Sequence, residues 1–448
     1  MTSDRLFGQA SSTAEMLDAV SDAAWLESML RVEAALAKVE GRLGLIPPEA
    51  AASIASSLLA AELDPEQIGR EAVSAGNPVI PMVRMLSRVV PGEAVGYVHW
   101  GATSQDILDT GMMLVARRAL TLITRDTDAV AAAAADLAVR HRSSVMVGRT
   151  LLQQAAPTTF GLKAAGWLTA VREARSRIRE IQQGGLALQF GGAAGTLAAL
   201  GERGLDVSRE LARELGLVEP VLPWHTARGR VLALATALGI LTAAVGKIAL
   251  DVLLMAQNEV AEVSEGAGGG SSTLPQKQNP VAAVEVLACV RGVNAQVALL
   301  MAAALQEHER AAGGWQAEWP AISELFRFSA GAMGRTAGML EGLQVNRERM
   351  TANLLQGGGQ VMSEGVMMRL AARIGRPRAH HLVGEAAAAA VNSGREFGAE
   401  LKADPEISAQ LSPAEIDAAL EPGSYLGSAE ALVDRAVTAY QMEMAEGK

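Results

Sequence analysis

Aromatic side chains make up only 3% of this chain, and cysteine occurs once, at Cys289. A lone thiol excludes a disulfide framework and a cysteine-based zinc site, and Cys289 reads as a core helix residue. With few aromatics, alanine, leucine, valine and methionine must fill the core, and half of the 448 residues are apolar. Small side chains let helices approach closely, and alanine is the strongest helix former. Positive charge is also short. The formal net charge is −10, which argues against a nucleic-acid partner, because such partners need basic faces. Residues Met1–Gly8 carry no apolar signal core, so a cytoplasmic location is expected. The longest uncharged apolar run, Val231–Gly246, is too short to cross a bilayer; it reads as a buried bundle helix, with no membrane partner.

Alternating strand patterns are nearly missing. Apolar residues instead recur at helical spacing over Ala23–Glu40, Gly111–His141, Phe160–Gln183, Arg228–Glu265, Pro280–His308 and Ala321–Gly342. The expected fold class is all-α, with a bundle of long helices at the centre. The length suits two to three domains, placed at 1–105 (N-terminal helical), 106–350 (central bundle) and 351–448 (shorter C-terminal helices).

Three punctuated stretches interrupt the helices: Gly76–Asp109, Gly148–Pro157 and Gly266–Pro280. The third holds Gly266, Gly268, Gly269 and Gly270, then Ser271, Ser272, Thr273, Lys277 and Asn279. Glycine adds backbone freedom, and Pro280 suits the first turn of a following helix. Hydroxyls and a lysine at a helix start can hold an anion; composition alone leaves a solvated linker equally open. The P-loop order of glycine, lysine and hydroxyl is absent. His380 and His381 are adjacent and offer no two-histidine helical face, so no metal and no cofactor are expected.

Gly270-Ser-Ser-Thr-Leu-Pro-Gln-Lys-Gln-Asn-Pro280 closely resembles the signature loop of the fumarase/aspartase superfamily, departing only at Leu274. His99–Thr110 resembles its first motif, and Gly148-Arg149-Thr150 its second. The resemblance covers nearly the whole chain. It implies three helical domains, a homotetramer with a 20-helix core, and composite active sites drawn from three subunits. It implies that Ser271 is the base that removes a proton next to a substrate carboxylate. A free hydroxyl would need its pKa lowered by about 8 units, roughly 11 kcal/mol. That demand favours proton transfer concerted with charge development, with Lys277 helping.

Superfamily lyases pair a histidine after Gly-Arg-Thr with a glutamate seven residues after the loop lysine. This chain has Leu151 and Val284 there, expected to face one another, so a charge placed at Leu151 would be buried unpaired. The runs Gly76–Pro81, Tyr97–Asp106, Phe190–Thr196, Glu309–Pro320 and Pro422–Ser428 resemble the bacterial 3-carboxy-cis,cis-muconate cycloisomerase subfamily. That resemblance implies an intramolecular lyase of the protocatechuate branch of the β-ketoadipate pathway. A substrate carboxylate adds to a conjugated double bond to give a carboxymuconolactone. In reverse, the leaving group is a carboxylate, which needs no proton, so the missing histidine makes sense. The substrate would be a small tricarboxylate held by a local cationic pocket. The implied catalytic residues are Ser271, Lys277 and His99; those implied to bind substrate are Thr103, Ser104, Arg149, Thr150, Asn279 and Arg310. Adenylosuccinate lyase, another superfamily lyase and a non-catalytic structural tetramer are the alternatives.

Overall fold

The computed structural model describes residues 7–266, 268–270 and 273–446. It is all-α apart from two small antiparallel ribbons. Besides Asp22–Arg42 of 21 residues, five long helices form the middle of the chain: Ser104–Arg140 of 37 residues, Phe160–Glu180 of 21, Gly229–Met255 of 27, Val281–Ala303 of 23 and Gly314–Glu341 of 28. Ser104–Arg140 is about 55 Å long at 1.5 Å per residue. Each follows a run rich in alanine and leucine whose apolar residues repeat at helical spacing.

The expected helix limits hold with instructive departures. Gly229–Met255 stops ten residues before the expected Glu265, because the polar stretch Gln257–Glu259 offers nothing to bury. The last long helix starts at Gly314 rather than Ala321, with Pro320 inside it. Proline removes one helical hydrogen bond without ending the helix, so it is a poor boundary marker here.

The chain divides into two compact units: residues 1–128 with 173–246 and 285–335, and residues 129–172 with 247–284 and 336–448. All five long helices contribute residues to both. In the first unit, the Asp22–Arg42 helix is capped by the Ser21 hydroxyl, which accepts from Ala24 N. It buries Leu36 and Val39 alongside Ile54, Leu58 and Leu86.

In the second unit, residues 363–420 form a set of shorter helices around Val366, Leu370, Phe397, Leu401, Ile407 and Ile416. Proline opens Pro405–Gln410 and Pro413–Leu420, the latter capped at its start by a Ser412–Glu415 capping box. The second unit also holds a stretch whose structure has no sign in the sequence. Gly148–Pro157 is the turn region of a hairpin, strand β1 (Val145–Thr150) paired with β2 (Gln153–Thr159). No alternating apolar pattern announces it. Its two-residue turn is Leu151–Leu152, at φ 50° and 65°, where asparagine and glycine are usual.

Candidate active site

Residues 99–106 are held by unusual backbone and by one carboxylate. His99 is left-handed, with φ 61°, which costs an L-residue about 1–2 kcal/mol. Gly101 is left-handed as well, and a Cβ there would lie 2.6 Å from the Leu200 side chain. The chain then turns into the Ser104–Arg140 helix, where Asp106 acts as a hub. Its buried carboxylate accepts from Thr103 N at 3.1 Å, Gly191 N at 3.0 Å and Gly192 N at 2.8 Å. It also pairs with Nε2 of buried His225 at 2.7 Å. Asp106 therefore joins the Thr103–Ser104 turn to the glycine-rich Phe190–Thr196 segment.

One turn further along the helix, Asp109 meets Arg228 at 2.6 Å, and Arg228 also binds Glu318 at 2.5 Å. All three are buried. Trp315 Nε1 donates to Asp109 at 3.0 Å, and Trp224 lies under the guanidinium, 4.9 Å from carbon to ring centre. Trp315 packs edge-on against Trp319, one helical turn away.

Arg310 belongs to the same unit. Its guanidinium donates to the carbonyls of Gly192 and Ala193 at 2.6 and 3.0 Å and to that of Glu309 at 3.0 Å. It clamps the glycine segment from the side opposite in sequence to Asp106. His99 Nδ1 lies 2.5 Å from Glu33 Oε1. Burial pushes the His99 pKa down, but the charge and hydrogen bond of Glu33, with the charge of Asp106, outweigh it and hold the value above normal. The first unit thus gathers Thr103, Ser104 and Arg310 around Asp106, with His99 held by Glu33.

The second unit holds Arg149, Thr150, Lys277 and Asn279. Arg149 makes a two-pronged pair with Glu262 at 2.8 and 2.8 Å, and Asn353 donates to the same carboxylate at 2.9 Å. Its charge is therefore already matched by a buried carboxylate. Thr150 ends β1 opposite Gln153. Ser271 and Ser272 lie outside the described residues.

The flanks of the signature loop are bridged by two backbone bonds between Gly269 and Asn279, at 2.7 and 3.0 Å. Lys277 and Asn279 line a cleft of about 1200 Å³ together with Gln257, Asn346 and Arg347. The helix that follows does not offer its N-terminus to an anion. Glu265 accepts from Ala282 N and Ala283 N at 3.0 and 2.8 Å, so the expected anion-holding helix start is occupied by the protein's own carboxylate.

Leu151 is 96% exposed and Val284 is 51% exposed, so neither is buried against the other within the chain. A tight two-residue turn points its side chains outward, and Val284 sits in the first turn of the Val281–Ala303 helix with its side chain half-exposed.

Sequence reasoning passed over Glu33, Asp109, His225, Arg228, Glu262 and Glu318. A signal existed for some of them. Asp106 and Asp109 stand among apolar residues in the first turns of Ser104–Arg140, and Arg228 directly precedes the apolar Gly229–Met255 helix, a setting in which a charge needs a partner. Glu33 and Glu262 carry no such mark. His141 makes a local bond to Ser144 Oγ at 3.1 Å and stacks edge-on against Phe160. Burial lowers its pKa. Among the described residues, no three His, Cys, Asp or Glu side chains cluster as metal ligands.

A family model described as "Lyase" matches residues 2–299, and one described as "Adenylosuccinate lyase C-terminus" matches residues 359–436. The chain is 45% identical over 430 residues, 95% of each chain, to a 3-carboxy-cis,cis-muconate cycloisomerase of Bradyrhizobium diazoefficiens. It is 44% identical over 433 residues to a nitrosuccinate lyase of Streptomyces davaonensis, covering 94% of this chain and 91% of that relative. Among solved structures, a 3-carboxy-cis,cis-muconate lactonizing enzyme from Pseudomonas putida superposes with a TM-score of 0.90 at 40% identity, covering 98% of this chain and 99% of that one. The chain belongs to the lyase family of the fumarase/aspartase superfamily.

Proposed function

We propose that this protein is an intramolecular lyase interconverting 3-carboxy-cis,cis-muconate and 4-carboxymuconolactone in the protocatechuate branch of the β-ketoadipate pathway. The observation that carries the reading is the 45% identity over 95% of both chains to a relative of that name. In the lactonising direction a substrate carboxylate oxygen bonds to the conjugated carbon. The electron pair moves onto a neighbouring carboxyl as an enolate-like dianion, and one proton is taken up at carbon. In reverse, Ser271 removes that proton and the carbon–oxygen bond breaks. Lys277 offsets the charge that builds up. His99 is the third catalytic group, and Thr103, Ser104, Arg149, Thr150, Asn279 and Arg310 bind or orient the substrate.

The reading includes a cytoplasmic homotetramer built from three helical domains per chain, bounded near residues 105 and 350. The lengths of the five central helices support it. So does the apolar character of Val281–Ala303, whose most hydrophobic window is only 28% buried within one chain. Such a face needs partners. Each site would draw on more than one subunit.

A second reading has its own support, the 44% identity to a nitrosuccinate lyase. Nitrite, like carboxylate, departs as a stable anion and needs no proton. Leu151 and Val284, in place of the proton-donating pair, therefore fit both reactions equally well. The test is direct: the purified protein is given 3-carboxy-cis,cis-muconate and nitrosuccinate in parallel. Loss of the muconate ultraviolet band without nitrite release is expected. Nitrite release with an unchanged muconate band would select the second reading.

A further inference from the structure

The Asp22–Arg42 helix buries two carboxyl groups, Glu33 and Glu40, two turns apart. A buried carboxylate is costly unless a partner compensates it. For Glu33 the compensating group is His99, and no other hydrogen-bond partner of Glu33 is found among the described residues. The Glu33 side chain is 1% exposed and that of His99 is 19% exposed, so the pair is sealed on the glutamate side and open on the imidazole side. The backbone at His99 is left-handed, a conformation that persists only where surrounding contacts over-determine it. The Glu33 contact is one such constraint, and the Gly101 turn is another.

The bond uses Nδ1. With Nδ1–H donated to Glu33, the ring orientation is fixed and Nε2 is left with no hydrogen bond among the described residues. The charged groups that act on the imidazole are Glu33 from the helix and Asp106 from the start of Ser104–Arg140. Both are anionic, and both favour the protonated ring. Glu40, the other acid on the helix face, stays neutral around pH 7 because burial, with the charge of Glu33, raises its pKa to about 9.

From this geometry we propose that Glu33 is a positioning residue: through Nδ1 it orients the His99 ring and places a carboxylate behind it, so that Nε2 is turned away from the helix to act as a donor to an anionic substrate. A cationic donor beside a forming enolate strengthens as negative charge develops. The substrate part of this proposal rests on the function proposed above; the Glu33–His99 pairing does not.

The test uses Glu33→Gln in the full-length protein, which keeps a hydrogen-bond acceptor for Nδ1–H but removes the charge. Histidine-selective isotope labelling with NMR titration reads the ring directly, and only six histidines are present. His99 is assigned by loss of its signal in His99→Gln. In the ligand-free protein, the His99 titration midpoint should fall on Glu33→Gln. With the reactive substrate, kcat should drop by about a hundredfold, and the alkaline limb of the pH profile should move to lower pH. Glu33→Asp should restore part of both. An unchanged His99 midpoint in Glu33→Gln overturns the proposal. So does a loss of activity with the pH profile unmoved, because that is what a purely structural contact would give. If the midpoint falls but wild type turns over neither the muconate nor nitrosuccinate, the pairing stands and the proposed function fails.

Discussion

The Asp106–Arg228 region of the first unit and the Lys277 cleft of the second unit carry similar residues in opposite states. Asp106, Asp109, Arg228 and Glu318 are buried, and each is bound to two or more partners. Lys277 is exposed, and its cleft is lined by amide side chains, Arg347 and two glutamates, Glu259 and Glu348. In the first region polar groups are consumed in holding the backbone of residues 99–104 and 190–193. In the second they remain available. Charge in this chain thus serves as scaffold where it is saturated and as a candidate for ligand binding where it is not. Which state a residue occupies cannot be judged from its type alone.

The largest effect expected belongs to the loop. Ser271→Ala should lower kcat by about a thousandfold or more with the thermal midpoint unchanged. The assembly can be tested with the same variant. Ser271→Ala and Thr150→Ala, separately inactive, should regain partial activity when unfolded and refolded together. Mixed tetramers as inactive as either parent would mean that each site comes from one chain.

The scaffold side of the comparison should show in stability instead. Arg228→Met strands two buried carboxylates and should cost about 3–5 kcal/mol in urea unfolding. Lys277→Met should change stability by less than about 0.5 kcal/mol, because its side chain is exposed in the chain. Equal costs for the two would erase the distinction.

Glu40 gives a test whose size depends on pH. Its folded pKa of about 9 lies above the unfolded value of 4.5, so the folded state holds the proton longer. That contribution to stability is fully present below pH 4.5 and is lost as pH rises towards 9, with a slope of up to about 1.4 kcal/mol per pH unit. Glu40→Gln should remove this slope, so the two stability curves should diverge as pH rises. Parallel curves from pH 5 to 9 would show that Glu40 is not held neutral. The smallest effect expected is at the hairpin turn. Leu152→Gly relieves a left-handed backbone but frees the unfolded chain, for a net gain of about 0.5 kcal/mol, read as a small rise in the urea midpoint.

Much of this molecule was legible from sequence. Helical periodicity fixed the fold class and, within a few residues, the Phe160–Glu180 and Val281–Ala303 helices. The loop motif led to the family. The hairpin at 145–159 was not legible, because its turn uses two leucines where a turn signal would be glycine or asparagine. Arg149 was picked for its position, but its partner Glu262 lies 113 residues away in sequence and carries no local mark. His99 was visible in its motif, while Glu33 looked like any polar residue on a helix. In each case the missing information was a pairing between distant residues, which periodicity and local motifs do not encode.

The Asp106 hub also bears on how the protein folds. It ties residue 106 to residues 191 and 225, with up to 119 residues between bonded partners. Arg228 and Asp109 are separated just as widely. Helices form from local contacts in microseconds, whereas contacts closing chain loops of this size come late. During refolding, helical signal should therefore return well before this polar cluster is assembled. A chain caught between those two stages would hold Asp106, Asp109 and Arg228 without partners, and those same residues would make its collapsed state unfavourable. The cluster thus works as a checkpoint on chain topology, penalising any compact form in which the three segments of the first unit have not yet met.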